Sequence, residues 1–218
     1  MERAFILGKF NTWNDWRLIL TDKSVTPPNI KTNYINIDGR SGTLDLSEAL
    51  TGEITYDDRT VSATFWTDNG TYNDRSTLLR NIVANLHGKK IKIIEPDDTE
   101  HYFLGRVNIK AQSNILPYAT LELEAVCEPW RYRIEDTIRR VEVKGDKVVK
   151  VVITNGGVKT LCPEITVDGS ITLNYNDVNI PLTQGTYKIS KIRLKTGSNL
   201  INVSGTGNVI FSYREADI

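Results

Sequence analysis

Hydrophobic residues alternate with polar ones over most of the chain, which is the pattern of strands with one buried face. Val61, Ala63 and Phe65 alternate with serine and threonine, and Leu121 and Leu123 alternate with glutamates. Short clusters of glycine, proline, asparagine and aspartate separate such runs, and these residues favour turns. The sequence therefore predicts a mostly β protein.

One stretch departs from this alternation and predicts a single short α-helix. Apolar residues recur there at helical spacing and form one stripe, made of Leu78, Leu79, Ile82, Val83 and Leu86. Arg75 and Arg80 are expected on the opposite side. Asn73 or Asp74 is the expected N-cap, and Gly88 stands where a left-handed residue would end the helix. Because so short a helix is marginal alone in water, we expect it to pack on the sheet, anchored by Leu78, Ile82 and Leu86.

The segment from residue 95 to residue 99 predicts a hairpin turn, because Pro96 suits the second position of a type I turn. Acidic residues crowd this turn, at Glu95, Asp97, Asp98 and Glu100. They lack the glycine and the regular carboxylate spacing of a calcium-binding loop. A solvated turn is the preferred interpretation, and no metal site is predicted.

The turn signals change beyond Trp130, which predicts a second domain. From residue 138 onward, turns recur at close to ten-residue spacing between short β runs, as in a β-sandwich of jelly-roll type. The boundary is expected near residues 133–137. We therefore expect an N-terminal β-barrel or β-sandwich domain with the helix at residues 1–136, and a C-terminal β-sandwich at residues 137–218.

Composition and charge exclude several classes of protein. The 218 residues are 39% hydrophobic and 25% charged, as in ordinary globular proteins, and 27 basic residues balance 27 acidic ones. A neutral chain has no field that gathers nucleic acid or an anionic membrane, so neither is an expected partner. The sequence shows no signal peptide and no membrane span, and we expect synthesis in a cytoplasm.

Cys127 and Cys162 are expected to be free thiols.

The sequence does not carry a convincing catalytic or cofactor motif. His87 and His101 lie far from each other and from the cysteines, so they do not form a zinc motif. Residues 205–207 and 155–160 resemble dinucleotide and phosphate loops only in part, and both are interpreted as turns. Paired carboxylates for glycoside hydrolysis stay open, since they require distances. We predict no catalytic, cofactor-binding or metal-binding residues, and no enzyme.

The order of these segments resembles the distal tail proteins of siphophages. The resemblance rests on RSGTLDLSEALTGEITYDDRTVSATFW (residues 40–66) before the helix and HGKKIKIIEPDDTEHYFLGRV (residues 87–107) after it. ATLELEAVCEPWRY (residues 119–132) resembles the end of the N-terminal belt domain of that family. GSNLINVSGTGNVIFSYR (residues 197–214) resembles part of its galectin-like C-terminal domain.

This resemblance implies a structural protein of the virion rather than a catalyst. In the family, belt domains close into a hexameric ring at the tail tip, so this chain is expected to form a homo-hexamer through residues before about Thr137. One face of the ring meets the tail tube protein, and the other meets the tail-associated hub protein. The C-terminal domain is expected to project outward and to space the ring or dock a receptor-binding or baseplate protein.

Two other functions stay open at this stage. The C-terminal domain could be a carbohydrate-binding module for host glycan, and a cell-wall hydrolase is the third alternative. A sugar site needs an exposed aromatic platform, and Tyr175 is the one reasonable candidate in this domain. Because a single tyrosine is a poor platform, we expect no useful sugar affinity.

Overall fold

The computed structural model describes residues 3–145 and 147–218. The chain is mostly β, and the described residues contain one α-helix, so the predicted fold class is confirmed. The chain divides into two compact units, of which the first ends at Arg131 and the second comprises Tyr132–Asp217. The expected division between residues 136 and 137 lies five residues further along the chain.

The first unit is built on one sheet. Its strands and helix are β1 (Ile6–Leu7), β2 (Phe10–Asn11), β3 (Ile19–Val25), β4 (Tyr34–Asn36), β5 (Thr43–Asp45), β6 (Arg59–Thr67), α1 (Tyr72–Leu86), β7 (Lys90–Glu95), β8 (Asp98–Ile115) and β9 (Tyr118–Arg133). The strand order in the sheet is β2-β1-β7-β8-β9-β6-β3, and β4 pairs with β5 alone. Glu95 lies opposite Asp98 at the turn between β7 and β8, which confirms the predicted hairpin.

Alternation along β6 and β9 places the core of the first unit on one face of the sheet. Every second residue of β6 is buried, and β6 lies in antiparallel register with β9. Gly105 on β8 faces Cys127 on β9, and a Cβ at position 105 would stand closer than 3.0 Å to the Cys127 sulfur. Both cysteines are free thiols, as predicted. Burial raises the pKa of Cys127 to about 12, so its thiol is neutral at physiological pH.

Helix α1 packs on this core, but two details of the prediction are wrong. The N-cap is Thr71, and Asp74 completes a capping box, because its Oδ2 accepts a hydrogen bond from Thr71 N at 2.8 Å. Arg75 is only 3% exposed and does not lie on the solvent side. Gly88 follows the helix with φ +75°, as expected.

The second unit consists of strands, of which β12 and β15 are the long ones. They are β10 (Thr137–Val143), β11 (Val149–Asn155), β12 (Glu164–Tyr175), β13 (Val178–Leu182), β14 (Gly185–Lys188), β15 (Gly197–Tyr213) and β16 (Ala216–Asp217). The sheet order is β10-β15-β12-β13, with β11 also on β15 and β14 also on β12. β15 therefore pairs with three neighbours, since its first part lies against β11 and its last part against β10.

Residues 205–207 lie inside β15 and do not form the turn that the sequence suggested. Gly207 lies opposite Gly169 of β12, and their φ angles are +138° and +121°. A Cβ on either glycine would stand closer than 3.0 Å to the facing backbone. Only glycine permits this conformation and this close approach, so the two strands bend together without interrupting their pairing.

Candidate subunit interface

Residues 26–58 connect β3 to β6 and form an extension at one edge of the sheet. Because β3 is the last strand of the sheet, the extension leaves from that edge. None of its residues belongs to the hydrophobic core of the first unit. Its contacts with its own unit lie at its base, where Pro28 is buried and Tyr56 packs on Trp130 with ring centroids 5.5 Å apart, and beyond Pro28 no residue of the extension is buried.

Backbone hydrogen bonds give the extension its shape. At its base, Thr26 N donates to Thr60 O at 3.0 Å, and Lys31 N donates to Thr55 O at 2.9 Å. Further out, β4 and β5 pair in antiparallel register. The extension is thus a hydrogen-bonded, two-stranded element. Such an element is at best marginally stable in water unless it packs against something else.

The extension exposes large apolar side chains. They are Ile30, Tyr34, Ile35, Ile37, Leu50 and Ile54, and Leu50 is 98% exposed. Single exposed apolar residues are ordinary, but a concentration of six on one coreless element marks a surface that another molecule covers. We therefore take the extension as the candidate interface.

The extension is also strongly acidic although the whole chain is neutral. Residues 26–58 contain two basic and six acidic residues, a net charge of −4. Lys31 pairs with Asp57 at 3.7 Å within the extension. Hydrogen bonds from the Ser47 hydroxyl and backbone lower the pKa of Asp45, which keeps this exposed carboxylate ionised. The surface offered to a partner is therefore both apolar and negative.

A second apolar surface lies on the opposite face of the sheet from the core. Trp66 on β6 and Tyr118 on β9 meet edge to face, with ring centroids 6.4 Å apart. They line a cleft of about 360 Å³ together with Thr21, Thr64 and Thr120. The neighbouring tip of the β8–β9 hairpin exposes Ile115 and Leu116, each by 70%.

The acidic turn between β7 and β8 is ion-paired rather than simply solvated. Lys23 forms salt bridges with the buried Glu95 and, at 2.7 Å, with Asp97. Burial disfavours the Lys23 ammonium, but its hydrogen bonds to Asp97 and Glu95 outweigh this effect and raise its pKa. His101 Nδ1 lies 2.8 Å from Asp98 Oδ1. Within residues 3–145 and 147–218, no group of three or more histidine, cysteine or acidic residues could hold a metal ion.

The three expected helix anchors do not contribute equally. Ile82 and Leu86 are fully buried in the core, and Leu78 is half-buried at its border. Leu79, which we did not choose as an anchor, is buried. Their common role as anchors stays a prediction.

The structure does not place Tyr175 where a sugar could stack on it. Tyr175 is 8% exposed and belongs to the core of the second unit, and its hydroxyl donates a hydrogen bond to Arg193 O at 2.5 Å. The sequence placed it beside a turn, but every second residue at the end of β12 points inward, and Tyr175 is one of them. The expected exposed platform is therefore corrected to a core residue.

Comparisons with known proteins identify the fold. No protein-family model and no curated protein matches the chain. The chain is similar to the crystal structure of SPP1 Dit (gp 19.1), which is described as a paradigm of hub adsorption apparatus in phages that infect Gram-positive bacteria. The similarity covers 100% of both chains with a TM-score of 0.72 and 13% sequence identity. At this identity it shows the fold, which confirms the sequence resemblance. No helix among the described residues has the length and hydrophobicity needed to cross a membrane.

Proposed function

We propose, from the distal tail protein fold, that this chain is a structural protein of a siphophage-like tail tip and closes into a homo-hexameric ring. The observation that carries the ring is the extension at residues 26–58, which has ordered hydrogen bonds, no core of its own and six exposed apolar side chains. A neighbouring copy that covers the extension would supply the missing burial.

A ring also accounts for the position of the extension. The extension leaves from the β3 edge of the sheet, and a contact between one edge and a different surface of the next copy is heterologous. Heterologous contacts close into a ring when the rotation between copies divides a full turn. The same contact would shield the unpaired edge of β3, which in an isolated unit is a site for aggregation.

The remaining partners follow from the proposed position at the tail tip. One face of the ring would receive the tail tube protein, and the other would receive the tail-associated hub protein. The second unit would project outward and space the ring or dock a receptor-binding or baseplate protein. The apolar cleft at Trp66 and Tyr118 is an additional surface for one of these contacts. The proposed place of action is the virion tail tip, and this role requires no catalysis, cofactor, membrane or specific nucleic acid.

The alternative of a carbohydrate-binding module has no observation in its favour. Its single candidate platform, Tyr175, is buried and hydrogen-bonded. The fold alone does not decide between the two functions, because sandwiches of this type serve many roles.

Light scattering and negative-stain imaging of the purified chain at tens of micromolar test the proposal. We expect a species of six subunits with a central opening and an interface of at least about 2,000 Å² per contact. A test variant of the interface carries serine in place of Ile35, Ile37 and Leu50. These side chains are exposed, so the variant should keep its far-UV circular dichroism and lose the ring. A monomeric wild-type protein, or an unaffected ring in this variant, would contradict the proposed interface.

A further inference from the structure

Five basic residues cluster on and beside β7 and β8 of the first sheet. We call this cluster the basic edge: Lys9, Lys89, Lys90, Lys92 and Arg106, all of them exposed. The sheet begins with β2, β1, β7 and β8 and ends with β3, from which the extension leaves. The basic edge and the extension therefore belong to different strands of the same sheet.

Strand pairing brings these basic residues together. Lys90 of β7 lies directly opposite Arg106 of β8. Gly8 N donates to Lys92 O at 2.8 Å, which places the turn that contains Lys9 beside β7. One acidic partner is found for this cluster within the described part of the chain, since Lys90 pairs with Glu128 at 2.6 Å. The edge thus keeps most of its positive charge.

The sequence separates charge in the same way. Residues 75–94 and 101–121 contain seven basic residues and no acidic residue, whereas residues 26–58 carry a net charge of −4. Residues 95–100 between the two basic ranges hold four acidic residues, so residues 75–121 together have a net charge of +3. Such a separation keeps self-repulsion low within a chain and permits attraction between chains.

Partly buried apolar side chains lie between the charged residues of the basic edge. Ile94 of β7 lies opposite Ile6 of β1, and Leu104 of β8 lies opposite Lys92. All three apolar side chains are half-buried on the sheet face that carries the lysines. The edge therefore matches the extension in both respects, since it pairs positive charge with partly exposed apolar surface.

We infer that the basic edge of one copy receives the acidic extension of the next copy, and that this charge pairing orients successive copies head to tail in the ring. The inference rests on the proposed function, because it names the two surfaces of the ring contact. One chain carries one extension and one basic edge on separate strands, so each copy in a ring can use both. Two extensions, or two basic edges, would repel each other, which disfavours contacts between like surfaces.

Charge reversal tests this pairing. In the edge variant Lys9 and Lys89 are changed to glutamate, and in the extension variant Asp38 and Glu48 are changed to lysine. All four side chains are exposed and lack a charged partner among the described residues, so the variants should fold. Lys150→Glu in the second unit, an exposed residue outside both surfaces, is the control.

We expect each single-surface variant to need about tenfold more protein to assemble at low salt, since each loses several exposed charge pairs. Equimolar mixing of the two variants should give complexes but not rings, because the unchanged extension of the edge variant still attracts the unchanged basic edge of the extension variant, whereas the two changed surfaces do not attract each other. Assembly of the wild type should weaken between about 0.05 and 0.5 M salt, because exposed charges are screened over about 8 Å at physiological ionic strength. The Lys150→Glu control should behave like the wild type.

Three results would overturn the inference, and they are distinguishable from a failure of the proposed function. If the wild type and both variants form identical rings, the ring stands and the charge pairing is wrong. If equimolar mixing of the two variants gives no complex while the wild type forms rings, the two surfaces do not meet. If a labelled DNA duplex binds the wild-type ring and Lys89→Glu abolishes that binding, the basic edge receives nucleic acid instead. A monomeric wild type would contradict the proposed function itself, and this contact with it.

Discussion

Arg75 donates a hydrogen bond from Nη1 to the backbone oxygen of Gly70 at 2.7 Å, and so ties the first turn of helix α1 to the loop before it. Its Nε donates to Asn114 Oδ1 at 3.2 Å, which links the same turn to β8. A helical arginine that is 3% exposed thus connects three segments. Its aliphatic stem lies in the protein and its charged end is held by polar groups.

We expect Arg75→Ala to lower the free energy of unfolding by about 2 to 4 kcal/mol, because the change leaves Gly70 O and Asn114 Oδ1 without their donor. Arg80→Ala on the exposed side of the helix is the matched control and should change it by less than about 0.5 kcal/mol. Chemical denaturation of both variants measures the difference. Similar small losses would show that Arg75 does not fasten the helix.

Ile82 should be the most sensitive apolar position of α1, because it is completely buried under the helix. Ile82→Ala is expected to cost about 2 to 5 kcal/mol through lost burial and a residual cavity. Leu78→Ala should cost less, since Leu78 is half-buried. Thermal unfolding checks this order, and equal effects at both positions would mean that the helix is not docked as described.

The buried thiol of Cys127 predicts a loss of stability at alkaline pH. Burial raises its pKa from the ordinary value of 9.0 to about 12 in the folded state, so the folded chain keeps this proton longer than the unfolded chain. The corresponding stabilisation is complete below about pH 9 and is lost as the pH rises toward about 12. We expect Cys127→Ala to flatten the fall of the unfolding free energy over this range and Cys162→Ala not to do so. Equal slopes in all three proteins would contradict this.

The boundary between the units predicts where proteases cut first. Residues 134–136 lie between β9 and β10, and Glu135 and Asp136 are exposed. Limited proteolysis should cleave there and yield two fragments that each keep a cooperative unfolding transition. Initial cuts within residues 60–110 or 160–200 would show that the division is wrong.

The second unit is expected not to bind sugar with useful affinity. Calorimetry of the full chain against purified bacterial cell-wall polysaccharide should show no saturable binding tighter than about 1 mM, which corresponds to about 4 kcal/mol. Tyr175→Phe should instead lower the free energy of unfolding by about 0.5 to 1.5 kcal/mol, because the hydrogen bond to Arg193 O is lost. Saturable binding tighter than about 1 mM would restore the carbohydrate-binding alternative.

Local patterns predicted the elements of this fold well. Alternation identified β6 and β9, Pro96 identified the β7–β8 hairpin, and helical spacing identified α1. These features depend on neighbouring residues, so a single sequence contains the necessary information. The capping box also lay in the sequence, as threonine followed three residues later by aspartate, but the neighbouring Asn73 and Asp74 satisfied the same rule for an N-cap.

What the sequence did not predict depends on partners distant along the chain. Arg75 is buried because Asn114, on another strand, accepts its hydrogen bond. Tyr175 can be buried because the carbonyl of Arg193 accepts a hydrogen bond from its hydroxyl group. The exposure of Leu50 could not be predicted from the sequence either. An isolated leucine in a turn-rich segment does not indicate whether its own chain or another copy covers it.

The paired glycines of β12 and β15 affect how sequence variation in this protein should be interpreted. Gly169 and Gly207 face each other, and at each position the backbone of the facing strand excludes a side chain, so substitution of one cannot be compensated at the other. Among related sequences both positions should therefore remain glycine together, even where the surfaces that contact partners diverge. Invariance at these two positions would record the curvature of a strand pair, and it would not be evidence of a binding site.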